Sequence, residues 1–185
     1  MQVVLATTSH LEQVLQNLKA ANQKLLSQGV YQWDDTYPSR ELLEADIEQQ
    51  AMYVALEQNR ITASVSVDTK QPNAYSDISW HPATLKPLMV HRLCVHPEKQ
   101  GQGVGRRMLE FIETHAVEQG HDCIRVDVHA HNIAALATYG NRNFKRLGET
   151  LADDKRLRGV FEDDGIARHQ RRDDGVDCRQ IWIIP

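Results

Sequence analysis

The chain has 185 residues, a net charge of −4 with histidine neutral, and 41% hydrophobic and 25% charged residues. That suffices for one domain with its own core. The mild acidity argues against a strongly basic nucleic-acid binder and suits a cationic partner. Three cysteines, Cys94, Cys123 and Cys178, are too scattered and odd in number for a disulfide framework or zinc knuckle, which points to a reducing, cytoplasmic compartment. Met1 to Thr8 lacks the basic start and long apolar run of a signal peptide. No segment approaches the ~20 apolar residues of a membrane helix.

In chain order, Gln2–Leu5 reads as a strand. Ser9 and Glu12 form a capping box for a helix whose apolar face carries Leu11, Val14, Leu15, Leu18 and Leu25, and Gly29 ends it. Pro38-Ser39 opens a second helix with Leu42, Leu43 and Ile47. Met52–Glu57 and Ile61–Val67 read as a hairpin turning at Gln58-Asn59-Arg60. A polar linker with Pro72, Asn73, Pro82 and Pro87 leads to a fourth strand, Leu88–Val95, which His96-Pro97 stops. A glycine cluster then enters a helix running to about Gln119, with Val104, Met108, Phe111, Ile112 and Ala116 as its stripe and Gly120 as its end. Ile124–Val128 is a buried strand, and Asn132 caps a short helix with Ala135, Leu136 and Tyr139 on one face. Phe144–Leu147 and Arg179–Ile184 are the last strands. Between them lies a charged loop at about 151–178, with 7 acidic and 6 basic residues from Asp153 to Asp174. Block-wise charge of this kind reads as a solvated loop or as an acceptor-site flap or partner contact. The order β-α-α-β-β-β-α-β-α-β-β implies an α/β layer structure, a mixed sheet with helices on both faces.

The cluster Gln100-Gly101-Gln102-Gly103-Val104-Gly105-Arg106-Arg107 sits between strand and helix, where tight backbone turns and free helix N–H groups make an anion site. The dinucleotide fingerprint fails, because Arg106 stands where its third glycine belongs. The Gly-x-x-x-x-Gly-Lys-Ser/Thr phosphate loop occurs nowhere in the chain.

Gln100-x-x-Gly103-x-Gly105 resembles the Arg/Gln-x-x-Gly-x-Gly/Ala motif of the GCN5-related N-acetyltransferase (GNAT) family, within a similar strand–loop–helix unit from Leu93 to Leu109. Asn132-x-x-Ala135-x-x-x-Tyr139 resembles that family's second motif. Asn143-Phe144 stands where Gly-Phe is usual, and an asparagine tolerates a left-handed turn. Gln32-Trp33, Tyr37-Pro38 and Asp46-Ile47 are similar to stretches of small bacterial members. The resemblance is close from about residue 88 to 147, looser from 1 to 67, and silent over 151–178.

It implies a single GNAT domain over 1–185, with a mostly antiparallel sheet of about seven strands and the charged loop inserted before the last. It further implies acetyl-CoA as cosubstrate, direct acetyl transfer to a primary amine of a small molecule or peptide, no metal, no nucleic acid, no membrane, and a homodimer. The backbone of Leu93, Cys94 and Val95 would hold the pantetheine. Gln100, Gly101, Gln102, Gly103, Val104, Gly105 and Arg106 would meet the pyrophosphate, with Asn132 near the pantetheine. Tyr139 would protonate the CoA sulfur, as a phenol of pKa about 10 can at neutral pH. A core tyrosine and a plain helix cap are the simpler roles for Tyr139 and Asn132. Some members carry a glutamate base on the fourth strand, where this chain has Met89. His91, two residues on, is the candidate base, with Glu57 and His129 behind it and ordered water as a further route. Trp33 and Tyr37 either shape the acceptor pocket or pack in the core. His129-x-His131 lacks a third metal ligand. The alternative function is a non-catalytic CoA- or partner-binding sensor.

Overall fold

The computed structural model describes residues 1–34, 36–71, 73–75, 78, 80, 85–142, 144–151 and 157–163. They fall into two compact units. The first comprises Met1–Asp68 with Val90–Thr114, the second Thr69–Met89 with the chain from His115 onward.

The first unit carries β1 (Gln2–Leu5), α1 (Leu11–Ser27), α2 (Arg40–Glu48), β2 (Met52–Glu57), β3 (Arg60–Asp68), most of β4 (Pro87–Val95) and the start of α3 (Val104–Glu118). Its strands lie in the order β1-β2-β3-β4. β1 and β2 are antiparallel, with Gln2 opposite Leu56 and Leu5 opposite Tyr53. The β2–β3 hairpin turns at Gln58 and Asn59, both left-handed at φ +50° and +61°, which suits a two-residue turn following the strand twist. Alternation along β2 serves two layers. Met52 and Val54 join Leu11, Val14, Leu18 and Ala21 of α1, Leu43 and Ile47 of α2, and Trp33 in one apolar cluster. Tyr53 points the other way, its ring 5.0 Å from that of Phe111 on α3. Helices therefore cover both faces of these strands.

The start of α1 differs from expectation. Thr7, not Ser9, sits ahead of the first turn, its N–H donating to His10 Nδ1 at 3.0 Å, and the α-helix begins at Leu11. α2 is capped as expected, Ser39 Oγ accepting from the Leu42 N–H at 3.2 Å. A bulge interrupts the hairpin, where Ala55 faces Ala63 but Leu56 faces Ile61. There α1 supplies the missing ladder partners: the Ile61 N–H donates to Gln13 Oε1 at 3.1 Å, and its carbonyl accepts from the buried Asn17 Nδ2 at 2.8 Å.

The second unit carries β5 (Cys123–His129), α4 (Ile133–Gly140), β6 (Lys145–Leu151) and β7 (Leu157–Asp163), in the strand order β5-β7-β6. β7 pairs antiparallel with both neighbours, Val126 facing Phe161 and Leu151 facing Leu157. This strand corrects the charged-loop expectation, since it lies inside the stretch read as loop. Pairing on both sides satisfies its backbone and outweighs its charged composition. The expected strand at Arg179–Ile184, the rest of the charged segment and Asn143 lie outside the described residues. The polar linker is also more than a linker. It contains a short 3₁₀ turn, Asn73–Tyr75, and buries Tyr75 and Trp80 with Met89 against Ile78 and Leu147.

Candidate active site

In the first unit, β4 ends at Val95 and a 3₁₀ turn, Pro97–Lys99, leads to the glycine loop. Gly101 and Gly103 are left-handed at φ +75° and +77°, a conformation that side chains disfavour. A Cβ at either would meet nothing within 4 Å, so open space lies against this backbone. The Arg107 N–H makes the first helical bond, to the Gly103 carbonyl at 3.1 Å. The N–H groups of Val104, Gly105 and Arg106 thus precede the α3 ladder at the positive end of its dipole. Gln100 Nε2 donates to the Val95 carbonyl at 3.0 Å, and Gln102 Nε2 to the Glu98 carbonyl at 2.6 Å, which turns both side chains back onto the loop's own backbone. This arrangement fits a diphosphate: the positive end of the helix dipole adjoins left-handed glycines with open space at their Cβ positions, and the glutamines brace the loop.

The surrounding charges are partly spoken for. Arg106 pairs with Glu110 at 2.9 Å. Glu57, a secondary candidate base, takes Lys99 on one carboxylate oxygen at 2.8 Å and Arg107 on the other at 3.5 Å. The Lys99 hydrogen bond holds its carboxyl below the usual range. Glu57 thus ties the residue before the loop to the one after it, a bracing role.

Upstream, His91 Nε2 lies 3.1 Å from Asp68 Oδ1, an imidazole oriented by a carboxylate. Arg92 is left-handed at φ +54° within β4 and immediately precedes Leu93, Cys94 and Val95. Cys94 turns its thiol into the core, Sγ 3.8 Å from the Asn17 carbonyl, and burial pushes that thiol up to about 12. Only its backbone is offered to a ligand. Trp33 packs in the α1–α2 core, which is the core role rather than acceptor stacking, while Tyr37 is partly buried beside it. Met89, at the family's base position, is buried with Tyr75 and Trp80 in the second unit.

In the second unit, Asn132 Oδ1 accepts from the Ala135 N–H at 3.1 Å, the cap that starts α4 and places Tyr139 two turns on. Tyr139 is buried, with Phe144 edge-on at 5.2 Å. Its phenol is pushed well above the ordinary value, first by burial and then by the charge of Asp127. Sequence reasoning missed Asp127. It lies on β5, and its Oδ1 accepts from the Tyr75 hydroxyl at 2.6 Å. The two residues are 52 positions apart, so no local pattern joins them. Arg125, two residues before on the same side of the strand, stacks its guanidinium 3.8 Å above the Trp80 ring. Burial therefore favours the neutral phenol of Tyr139, and the charge of Asp127 acts in the same direction. His129 and His131 have ring centres 5.6 Å apart. Among the described residues no group of three His, Cys, Asp or Glu side chains is placed for a metal, and no helix is long and apolar enough to cross a membrane.

Residues 21–156 match the family model described as "Acetyltransferase (GNAT) domain". No curated protein matches the sequence. Among solved structures, a GNAT-family acetyltransferase of Streptococcus agalactiae is 19% identical, with a TM-score of 0.78 over 88% of this chain and 94% of that one. The PaiA N-acetyltransferase of Thermoplasma acidophilum, solved with coenzyme A, is 14% identical, with a TM-score of 0.67 over 88% and 98%. The ribosomal-protein-S18-alanine N-acetyltransferase of Escherichia coli is 15% identical, with a TM-score of 0.63 over 87% and 91%. At such identities these likenesses speak for the fold, an α/β GNAT fold with a mixed sheet flanked by helices. With the family match covering most of the sequence, the chain belongs to the GNAT acetyltransferase family.

Proposed function

We propose that the protein is an acetyl-CoA-dependent N-acetyltransferase that passes the acetyl group directly to a primary amine of a small molecule or peptide, acting in the cytoplasm as a homodimer. The observation that carries this is the pair of left-handed glycines opening α3, with open space against them. That a similar fold was solved with coenzyme A supports the same ligand here.

In this reading the loop N–H groups from Gln100 to Arg106 bind the pyrophosphate, and the backbone of Leu93, Cys94 and Val95 holds the pantetheine. The amine nitrogen attacks the thioester carbonyl carbon, the C–S bond breaks, and Tyr139 gives its proton to the departing thiolate. The amine attacks in its neutral form, and the proton that its nitrogen sheds once the new C–N bond has formed goes to His91, oriented by Asp68, or to Asp127, the carboxylate whose charge reaches Tyr139. Asn132 keeps its cap and lies near the pantetheine.

Incubation with acetyl-CoA and an amine panel, read as free thiol, is expected to show turnover, and calorimetry is expected to show CoA binding. His91→Ala and Asp127→Asn then separate the two bases. A second reading, a non-catalytic CoA sensor, is favoured by the burial of Met89 at the family's base position. CoA binding with no turnover over the whole panel would select it.

A further inference from the structure

Arg92 is an unusual residue to find left-handed inside a strand, since φ near +54° disfavours any residue with a Cβ and is better met by glycine or asparagine. Two other segments meet its side chain, and a third braces one of them. Its NH2 group lies 2.5 Å from Asp46 Oδ2 on α2, and its NH1 donates to the Tyr37 hydroxyl at 3.3 Å, in the connection between α1 and α2. The same Asp46 oxygen accepts from Ser66 Oγ of β3 at 2.6 Å. The Arg92 side chain is 9% exposed, and its Nε is buried with no partner among the described residues. A buried arginine normally fills every donor it can. Here one donor is given up while the grip on Asp46 and Tyr37 is kept, which makes the direction of the side chain, and so of the backbone carrying it, the constrained quantity.

We propose that Arg92 is a positioning residue: held by Asp46 and Tyr37, it fixes the left-handed kink of β4 and thereby the direction in which Leu93, Cys94 and Val95 present their backbone to the acetyl thioester. The inference rests on the acetyl-CoA reading of those three residues. It adds that the strand holding the thioester is set from α2 and from the α1–α2 connection, so that Tyr37 acts on the transfer through Arg92.

The test uses the full chain with Arg92→Ala, Arg92→Lys and Tyr37→Phe, measuring Tm, CoA Kd by calorimetry, and kcat and KM by thiol release. Misplacement of a reacting group by an ångström costs about 100-fold, so Arg92→Ala is expected to lower kcat by roughly 10- to 100-fold. Its CoA Kd should stay within about 3-fold, because the glycine loop is untouched. Arg92→Lys, which keeps the charge for Asp46, should recover part of kcat. Tyr37→Phe removes one hydroxyl, carries the test if Arg92→Ala does not fold, and should lower kcat by about 3- to 10-fold. Folded variants that lose Tm but keep wild-type kcat would make Arg92 purely structural and overturn the proposal. Wild-type protein that binds no CoA would instead overturn the reading on which it rests, before any variant is made.

Discussion

Gly103→Ala separates the two things a glycine in this loop can do. At φ +77° the alanine must hold a left-handed conformation, at a cost of about 1–2 kcal/mol. No clash adds to this, because a Cβ there meets nothing within 4 Å. At ~2–4 °C per kcal/mol for a chain of this size, Tm should fall by about 2–8 °C. Binding should suffer more. The new methyl enters the open space offered to the diphosphate, and relief of the strain turns the following N–H groups away. Losing even one charge-assisted hydrogen bond is worth about 1.5–3 kcal/mol, or roughly 10- to 100-fold in CoA Kd. Gly29→Ala is the control, since Gly29 is equally left-handed at φ +75° with equally open surroundings, at the far end of α1. It should show the same thermal loss and unchanged CoA affinity. Calorimetric titration of the three proteins with CoA decides the matter. Equal Kd values for Gly103→Ala and wild type, or equal weakening by Gly29→Ala, would refute the assignment of the loop.

Tyr139→Phe should reduce kcat by about 100-fold or more, with little change in the KM for acetyl-CoA, because a general acid acts on the transition state; an unchanged kcat would remove Tyr139 from the reaction. The raised pKa of its phenol means that the neutral form is favoured in the folded state. The stability this supplies is complete below the free phenol's pKa of about 10 and is lost as pH rises above it. Ultraviolet titration should show Tyr139 ionising late, with Tyr53 also delayed by burial, and Asp127→Asn should bring Tyr139 alone earlier by removing a neighbouring negative charge. Cys94, with its thiol pushed up to about 12, should resist thiol reagents at pH 8 in the native protein and react once denaturant is added, as read by peptide mass mapping.

The parts legible in the sequence were those with local causes. Hydrophobic spacing placed α1 and α3, Ser39 and Asn132 announced their helices by capping chemistry, and three glycines in five residues marked the loop. What escaped was non-local. Arg92 carries no turn signal, and its conformation follows from Asp46 and Tyr37, which are 46 and 55 residues away. Asp127 sits in a buried strand, and its hydrogen-bond partner Tyr75 comes from a segment that reads as linker. β7 was hidden by its charges because the backbone pairing on both its edges has no compositional trace. His91 was placed on the right strand, but its partner Asp68 could not be read from spacing.

The bulge beside Ile61 has a consequence for how the first unit opens. An amide in a hairpin ordinarily exchanges its hydrogen when the hairpin frays. The Ile61 amide is closed instead by a side chain of α1, with its carbonyl closed by another. Its exchange is therefore a gauge of helix undocking rather than of strand separation. If α1 lifts as a body, Ile61 should exchange in step with the α1 amides and apart from its hairpin neighbours. Gln13→Ala should uncouple it, turning one strand residue into a reporter of the helix that lies over it.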